Sequence, residues 1–313
     1  MSDGPRILIV RFSAIGDCVM AAWAVTSLRQ AFPEGHIVWA TQERCAPVID
    51  DEKLVDTTVI ADRDKWKKTR WSPTTWWNQT RRFTSLRKHG FDFGFDLQGH
   101  SKTALCLRLA GAKERHARRA TDALAKKLNP VASVANGLHE VEANLAFLSQ
   151  FWPLTMPEGP LMPQLPAWDS QGFVSIQTGA GSKDKTYPTE SWIRVTEGLV
   201  RSGRRVVVIG GRRDPSIPVE GVTDLVGQLS LSQAVQVVRA SALHLAADTG
   251  TGHIAAAYGV PVVSIFGPTD PAVYRPWAPD ARVLQAGSMA GLVSPKEVLD
   301  AAAKALEKAR CAR

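Results

Sequence analysis

Three short segments combine glycine with hydroxyl, carboxylate or lysine side chains, and each directly follows an apolar run. The most specific is Asp248-Thr249-Gly250-Thr251-Gly252-His253, because a strand is predicted to end at Asp248 and a helix to begin near Gly252. Glycines let a ligand approach the backbone, and the first N–H groups of a helix attract anions. We therefore favour a phosphate-binding turn over a plain capped turn. His253 suits either a neutral donor to an anion or a core histidine.

The second segment runs from residue 178 to residue 188 and contains small residues, a hydroxyl and two lysines. The backbone N–H groups of such a loop can meet phosphate. It lacks the G-x-x-x-x-G-K-[ST] spacing of a Walker A loop. Taken alone, the segment fits a flexible surface loop equally well. Its candidate donor-binding residues are Thr178, Gly179, Gly181, Ser182 and Lys185.

The third segment, residues 12–17, ends in Gly16 and Asp17 at the start of the first predicted helix. Asp17 could be a helix N-cap, worth about 1 kcal/mol, or a carboxylate that accepts a proton at the carboxyl edge of a sheet. Position alone favours the cap. The spacing is not G-x-G-x-x-G, so a dinucleotide site at this turn has little support.

Apolar strands alternate with helical patterns in both halves of the chain, which is typical of parallel α/β sheets. The predicted strands are Arg6–Arg11, His36–Thr41, Thr57–Ala61, Phe91–Leu97, Phe173–Gln177, Arg205–Gly210, Leu243–Asp248 and Pro261–Phe266. Helices are predicted at about 17–31, 76–89, 100–110, 139–151, 189–201, 231–240, 252–258 and 295–309.

A proline-rich stretch separates the two alternating patterns, and proline suits neither a helix interior nor a central strand. We therefore predict an N-terminal domain at 1–152, a linker at 153–168, a C-terminal domain at 169–295 and a last helix at 296–313. Ligands of doubly wound sheets bind beyond the carboxyl ends of the strands. The expected site is a cleft between two such domains.

The bulk composition predicts a cytosolic protein, because the chain shows neither a secretory signal pattern nor an apolar run long enough for a membrane span. The four cysteines form no C-x-x-C pair, so we predict neither a disulfide framework nor a zinc site.

The net charge of +8 is concentrated in residues 61–130, where seventeen Lys and Arg face six Asp and Glu. Such an excess indicates an anionic partner, or otherwise a solvated basic face. Four tryptophans, which suit either a membrane–water interface or the core, are interleaved with basic residues there. These residues are Trp66, Trp71, Trp76, Trp77, Lys65, Lys67, Lys68 and Arg70.

The ordered set of motifs resembles the bacterial ADP-heptose:lipopolysaccharide heptosyltransferase family, glycosyltransferase family nine. The resemblance runs from Arg6 to about Trp277. It rests on R-F-S-A-I-G-D at 11–17, D-L-Q-G at 96–99, H-E-V-E at 139–142, G-A-G-S-K-D-K-T-Y-P ending at 188, I-G-G at 209–211, D-T-G-T-G-H-I-A-A-A from 248 and F-G-P-T-D-P at 266–271.

The resemblance implies a GT-B fold, with two Rossmann-like domains that face each other across a cleft. It also implies inverting transfer without a metal or other cofactor, from a nucleotide-diphosphate sugar to an anionic glycolipid at the inner-membrane surface. The family's general base falls on Asp17, its loop lysine on Lys185, and its diphosphate-facing motif on Asp248, Thr249, Gly250 and His253. The candidate acceptor-binding residues are Ser13, Lys65, Lys67, Lys68, Lys102 and His139.

The sequence departs from the family after I-G-G, where Arg212-Arg213-Asp214 stands at the place of an acidic residue near the nucleoside. The nucleotide is therefore left open, with ADP-heptose as the expected donor. Three alternatives also stay open: a GT-B nucleotide-sugar epimerase, a nicotinamide-dependent dehydrogenase, and a nucleic-acid-binding module. The dehydrogenase lacks the first-turn glycine fingerprint, and the nucleic-acid module lacks a recognised motif, so we expect no nucleic-acid partner.

Overall fold

The computed structural model describes residues 4–61, 69, 72–169 and 172–311. The chain divides into two units, Met1–Pro163 and Gln164–Arg313, and the division lies within the proline-rich stretch. Each unit has its own parallel sheet and its own buried core.

The N-terminal unit contains a five-stranded parallel sheet whose order is β3-β2-β1-β4-β5. Its central strands are mostly apolar and buried, as expected of parallel strands that helices cover. The strand order reverses between β1 and β4. The expected ligand site therefore lies at the carboxyl ends of these two strands. The strands are β1 (Arg6–Val10), β2 (His36–Thr41), β3 (Thr57–Ile60), β4 (Phe93–Asp96) and β5 (Glu114–Ala117). The helices are α1 (Ile15–Ala31), α2 (Pro73–Ser85), α3 (Ser101–Ala110), α4 (Ala123–Leu128) and α5 (Glu140–Leu148).

The C-terminal unit contains a six-stranded parallel sheet of order β11-β10-β9-β6-β7-β8, and its order reverses between β6 and β9. The last helix packs on α6 and on strands β9, β10 and β11, so it belongs to this unit. The strands are β6 (Val174–Gln177), β7 (Val206–Ile209), β8 (Val222–Asp224), β9 (Leu243–Ala247), β10 (Val262–Phe266) and β11 (Arg282–Gln285). The helices are α6 (Thr189–Arg201), α7 (Leu231–Ala240), α8 (Gly250–Ala257), α9 (Pro271–Tyr274) and α10 (Pro295–Cys311).

All eight predicted strands are present, whereas three outer strands, β5, β8 and β11, escaped the sequence analysis. The outer strands contain charged residues and are partly exposed, so they lack a continuous apolar run. Three of the eight predicted helix starts differ from the structure by two or three residues. The second helix begins at Pro73, where a proline at the first helical position needs no hydrogen-bonded N–H. Residues 86–89 form a separate 3-10 turn.

The cysteines are unpaired in the structure: Cys18, Cys45 and Cys106 are buried and Cys311 is exposed. Within the described ranges, no cluster of three or more His, Cys, Asp or Glu side chains is placed to hold a metal ion. None of the described helices is long and apolar enough to cross a bilayer.

Candidate active site

Asp17 lies in the first turn of α1, at the carboxyl end of β1. The helix begins at Ile15 and its N-cap is Ala14, so the interpretation of Asp17 as the N-cap was wrong. Alanine has no side-chain acceptor. Asp17 instead folds back from the third helical position, and its Oδ2 accepts from the Ala14 N–H at 2.8 Å. More than a quarter of its side chain, 28%, remains exposed.

Arg11 anchors the second carboxylate oxygen of Asp17, with 3.0 Å between Nη2 and Oδ1. The guanidinium is buried, and its Nη1 also lies 3.3 Å from Oε1 of Glu140. Burial opposes the charge on Arg11, but the nearby Asp17 and Glu140 carboxylates raise its pKa above the ordinary value. Glu140 is shared further with Arg118 and Arg119. A buried network of charges therefore fixes the orientation of Asp17.

The loop between β1 and α1 is held from β4 by the D-L-Q-G motif. Oε1 of Gln98 accepts from the N–H groups of Phe12 and Ser13 at 2.8 and 3.2 Å. Asp96 is buried and accepts from the N–H groups of Gln98 and Gly99. Burial raises the pKa of Asp96 to about 6, although those two amides oppose the rise. The motif thus positions the Asp17 loop from the neighbouring strand.

A cavity of about 270 Å³ opens at the same edge of the N-terminal sheet, and Lys102 and Gln98 line it. Ser13 is buried beside Gln98. His139 is also buried, and it caps α5 through Nδ1, which accepts from the Val141 N–H at 3.2 Å. Among the candidate acceptor-binding residues, Lys102 thus lines the cavity, whereas His139 stabilises a helix. Lys65, Lys67 and Lys68 lie outside the described residues.

The predicted phosphate-binding turn lies at the start of α8, which begins at Gly250 rather than near Gly252. Thr249 is the N-cap residue, and its side chain makes no capping hydrogen bond. The first N–H groups of a helix have no intrahelical acceptor. His253 is buried in the same turn.

Lys185 and Asp248 meet beside the start of α8, with 2.6 Å between Nζ and Oδ2. Asp248 directly follows β9 and is nearly buried, whereas Lys185 closes a short 3-10 turn after β6 and is 30% exposed. Two segments that are 63 residues apart in sequence are thus brought to one edge of the C-terminal sheet. The ion pair with Asp248 thus keeps the Lys185 ammonium group close to where an anion would bind at the start of α8.

The rest of the loop after β6 divides into an anchored part and an exposed part. The Thr178 hydroxyl donates to the Pro215 carbonyl at 2.8 Å. Gly179 lies so close to Asp214 that an added Cβ would overlap the carboxylate. Gly181 and Ser182 are exposed, and a Cβ at Gly181 would meet no heavy atom within 4 Å. Only the exposed part is free to meet a ligand.

A buried histidine, His244, lies behind the α8 turn and was missed by the sequence analysis. Its ring nitrogens lie 2.8 Å from the Ser175 hydroxyl and 2.9 Å from the Thr251 hydroxyl. Burial lowers the pKa of His244 to about 3, so the ring is neutral at physiological pH. The signal available in the sequence was a single histidine within the otherwise apolar strand L-H-L-A-A.

Comparison with known proteins decides the class to which these two site regions belong. The family model for glycosyltransferase family 9 (heptosyltransferase) matches residues 80–296. This chain belongs to glycosyltransferase family 9. The family 9 chain is 28% identical over 285 residues to lipopolysaccharide heptosyltransferase 1 of Pseudomonas aeruginosa, a match that covers 85% of this chain and 79% of the relative. It is 22% identical to lipopolysaccharide heptosyltransferase 1 of Escherichia coli K12, with 90% and 93% covered.

Solved structures of two similar proteins share the fold. The E. coli heptosyltransferase WaaC with ADP superposes with a TM-score of 0.82 at 22% identity, covering 96% of this chain and 99% of that chain. A family 9 glycosyltransferase from Veillonella parvula gives 0.84 at 17% identity, with 98% and 99% covered. The predicted GT-B class with two Rossmann-like α/β domains is confirmed, and the protein is a glycosyltransferase. The individual roles of the site residues remain predictions.

Proposed function

We propose that this glycosyltransferase moves a heptose from ADP-heptose to a lipopolysaccharide core precursor. The main support is Lys185 paired with Asp248 beside the start of α8, where the Thr249 side chain makes no capping hydrogen bond. A lysine and free helix N–H groups together form a site for a diphosphate. Curated relatives are named lipopolysaccharide heptosyltransferases, and one solved structure contains ADP-2-deoxy-2-fluoro heptose.

In the proposed reaction an acceptor hydroxyl oxygen attacks the anomeric carbon of the donor. The bond between that carbon and the diphosphate oxygen breaks, and its electron pair leaves with the diphosphate. The hydroxyl proton passes to Asp17. Attack from the face opposite the leaving group inverts the anomeric configuration. General-base catalysis of this kind contributes roughly 10²–10⁴ in rate.

The departing diphosphate gains negative charge, and the proposal assigns its stabilisation to the C-terminal unit. Lys185 would either exchange its contact with Asp248 for one with the diphosphate, or contact both anions at once. The N–H groups at Gly250 and Gly252 would contribute fixed dipoles that need no reorganisation during reaction. No metal ion or other cofactor takes part in the proposed steps.

The acceptor is proposed to be an anionic glycolipid on the cytoplasmic face of the inner membrane, where the protein would associate peripherally. Trp76 and Trp77 support this placement, because 43% and 69% of their surfaces are exposed on α2. Tryptophan is enriched at membrane–water interfaces. The surrounding basic segment would attract phosphates and acidic sugars.

The test supplies ADP-heptose and a purified heptose-free core precursor to the protein. The mass of the product and the release of ADP are measured. We expect a product one heptose heavier than the acceptor, and Lys185→Ala should raise the donor KM and slow transfer. Lys183→Ala is the matched control, because Lys183 lies exposed in the same turn. Sugar interconversion without acceptor would instead indicate an epimerase. Equal kinetics for both lysine variants would remove Lys185 from the site.

A further inference from the structure

A row of five polar side chains runs through the C-terminal unit behind the α8 turn. Successive polar atoms lie 2.8, 2.9, 3.3 and 3.4 Å apart, and the first two residues are fully buried. Polar groups buried in a sheet core cost free energy unless their hydrogen bonds are made. Apolar residues would fill the same space without that cost. The row is Ser175, His244, Thr251, Gln177 and Asp214.

The direction of every hydrogen bond in the row follows from its last member. The Asp214 carboxylate can only accept, so the Gln177 amide must turn its Nε2 toward it. Oε1 of Gln177 then faces Thr251, and the single hydroxyl hydrogen of Thr251 is donated to it.

The same reasoning fixes the tautomer of the histidine. Because the Thr251 hydrogen is already committed to Gln177, His244 must donate to Thr251 from Nε2–H. Its neutral ring then carries a lone pair on Nδ1, which accepts the Ser175 hydroxyl. All donors in the row therefore point toward Asp214.

The hydroxyl of Thr251 has no capacity left for a ligand. It donates to Gln177, accepts from His244, and also lies 3.1 Å from the Thr249 hydroxyl. Thr251 was predicted to bind the donor, but its side chain is used to tie the first turn of α8 to β6 and β9.

The far end of the row reaches the loop after β7. Asp214 accepts from the Gly211 N–H at 2.7 Å and packs against Gly179. The row therefore connects the α8 turn with the loops after β6 and β7, which are the segments at the carboxyl edge of this sheet. A displacement of one segment would break hydrogen bonds in the others.

We propose that Ser175, His244 and Gln177 are positioning residues, which hold the first turn of α8 through the Thr251 hydroxyl so that its N–H groups meet the donor diphosphate. The inference rests on the proposed function, because it requires a nucleoside diphosphate at this turn. It differs from that proposal in assigning the role to groups that never touch the donor.

The experiment measures binding of ADP by calorimetry, and of adenosine by ligand-observed NMR, to the full-length protein and its variants. Thr251→Val keeps the shape of the side chain but removes its hydroxyl, whereas Thr251→Ser keeps the hydroxyl and removes only the methyl group. We expect Thr251→Val and His244→Leu each to weaken ADP binding by about five- to tenfold, as loss of one or two hydrogen bonds implies. Thr251→Ser should bind ADP like the wild type, and adenosine binding should not change.

The double variant with Thr251→Val and His244→Leu should bind ADP no more weakly than the single variant with the lower ADP affinity. The reason is that both changes break the same hydrogen bond, the one between His244 and Thr251. Should His244→Leu fail to fold, Ser175→Ala tests the same row with a smaller change. Variants with lower melting temperatures but wild-type ADP affinity would overturn the inference alone. A wild-type protein that binds no ADP would overturn the proposed function and the inference together.

Discussion

At the scale of single residues, the geometry of Asp17 separates a catalytic role from a structural one. One oxygen accepts from Ala14 and the other pairs with Arg11, yet the side chain is still reachable from solvent. Asp17 is not the N-cap, but its side chain accepts from the N-cap N–H of Ala14, so its replacement must keep an acceptor at this position. Its ionised state is what the proposed base function requires.

We predict that Asp17→Asn lowers turnover at least about 100-fold, because an amide cannot take the hydroxyl proton. The variant should stay folded, since the asparagine oxygen can still accept from Ala14 and Arg11 keeps its contact with Glu140. ADP affinity should not change. Asp92→Asn, which alters an ion-paired carboxylate at the start of β4, is the control. A folded Asp17→Asn variant with wild-type turnover would contradict the assignment.

Asp96 provides a prediction about pH and stability, because burial raises its pKa to about 6 from a usual value of 3.8. Between these two pH values the folded protein holds a proton that the unfolded chain has lost. Stability from this group is therefore complete below about pH 4 and declines as pH rises through 6.

We predict that the unfolding free energy of the wild type, relative to that of Asp96→Asn, falls by roughly 2 kcal/mol between about pH 4 and pH 7. Asparagine cannot ionise, and its oxygen can still accept from the Gln98 and Gly99 amides. Urea unfolding of both proteins across this range measures the difference, and all other carboxylates cancel in the comparison. A difference that does not vary with pH would contradict the raised pKa.

At the scale of elements, the loop after β6 carries two glycines with different surroundings. Gly179 is in contact with Asp214, whereas Gly181 faces open space. The same substitution at the two positions therefore separates packing from the general effect of removing a glycine. The sequence pattern T-G-A-G-S makes the two positions look equivalent.

We predict that Gly179→Ala lowers the unfolding free energy by about 1–3 kcal/mol, as overpacking does, and weakens ADP binding because Asp214 must move. Gly181→Ala should be nearly neutral in both measurements. Thermal unfolding and calorimetric titration with ADP test the pair. Equal effects at the two positions would show that the contact between Gly179 and Asp214 does not matter.

At the scale of the whole molecule, charge and exposed aromatic surface are concentrated in the N-terminal half. Residues 61–130 carry the basic excess, and α2 within them presents Trp77 with 69% of its surface exposed. Attraction between exposed charges is screened over about 8–10 Å near physiological ionic strength. Association with an anionic surface should therefore depend on salt.

We predict that the protein sediments with anionic liposomes at low salt and dissociates from them as the salt concentration rises. Trp77→Ser should weaken the association severalfold. Leu292→Ser is a matched control, because Leu292 is 60% exposed but lies in the C-terminal unit. No binding to anionic liposomes at any salt concentration, or equal loss for both variants, would contradict peripheral association through α2.

The sequence by itself determined the central strands, the proline-rich division and the order of the glycine-containing turns. These features have local causes: a parallel strand covered on both faces must be apolar, proline interrupts helices and central strands, and tight turns need glycine. Asp17, Lys185 and the 248–253 turn became candidates for a similar reason, since each lies in a segment that follows a predicted strand. Strands β5, β8 and β11 were missed because charged or polar residues interrupt their short apolar pattern.

Only the tertiary structure decided which side chains meet. Arg11 and Glu140 are 129 residues apart in sequence and Ser175 and His244 are 69 apart, and no periodicity relates them. It also showed that His139 caps a helix and that the Thr251 hydroxyl is already occupied. The physical reason is that a side chain's role depends on the partners that sheet order brings to it, whereas local sequence fixes only the element on which it stands.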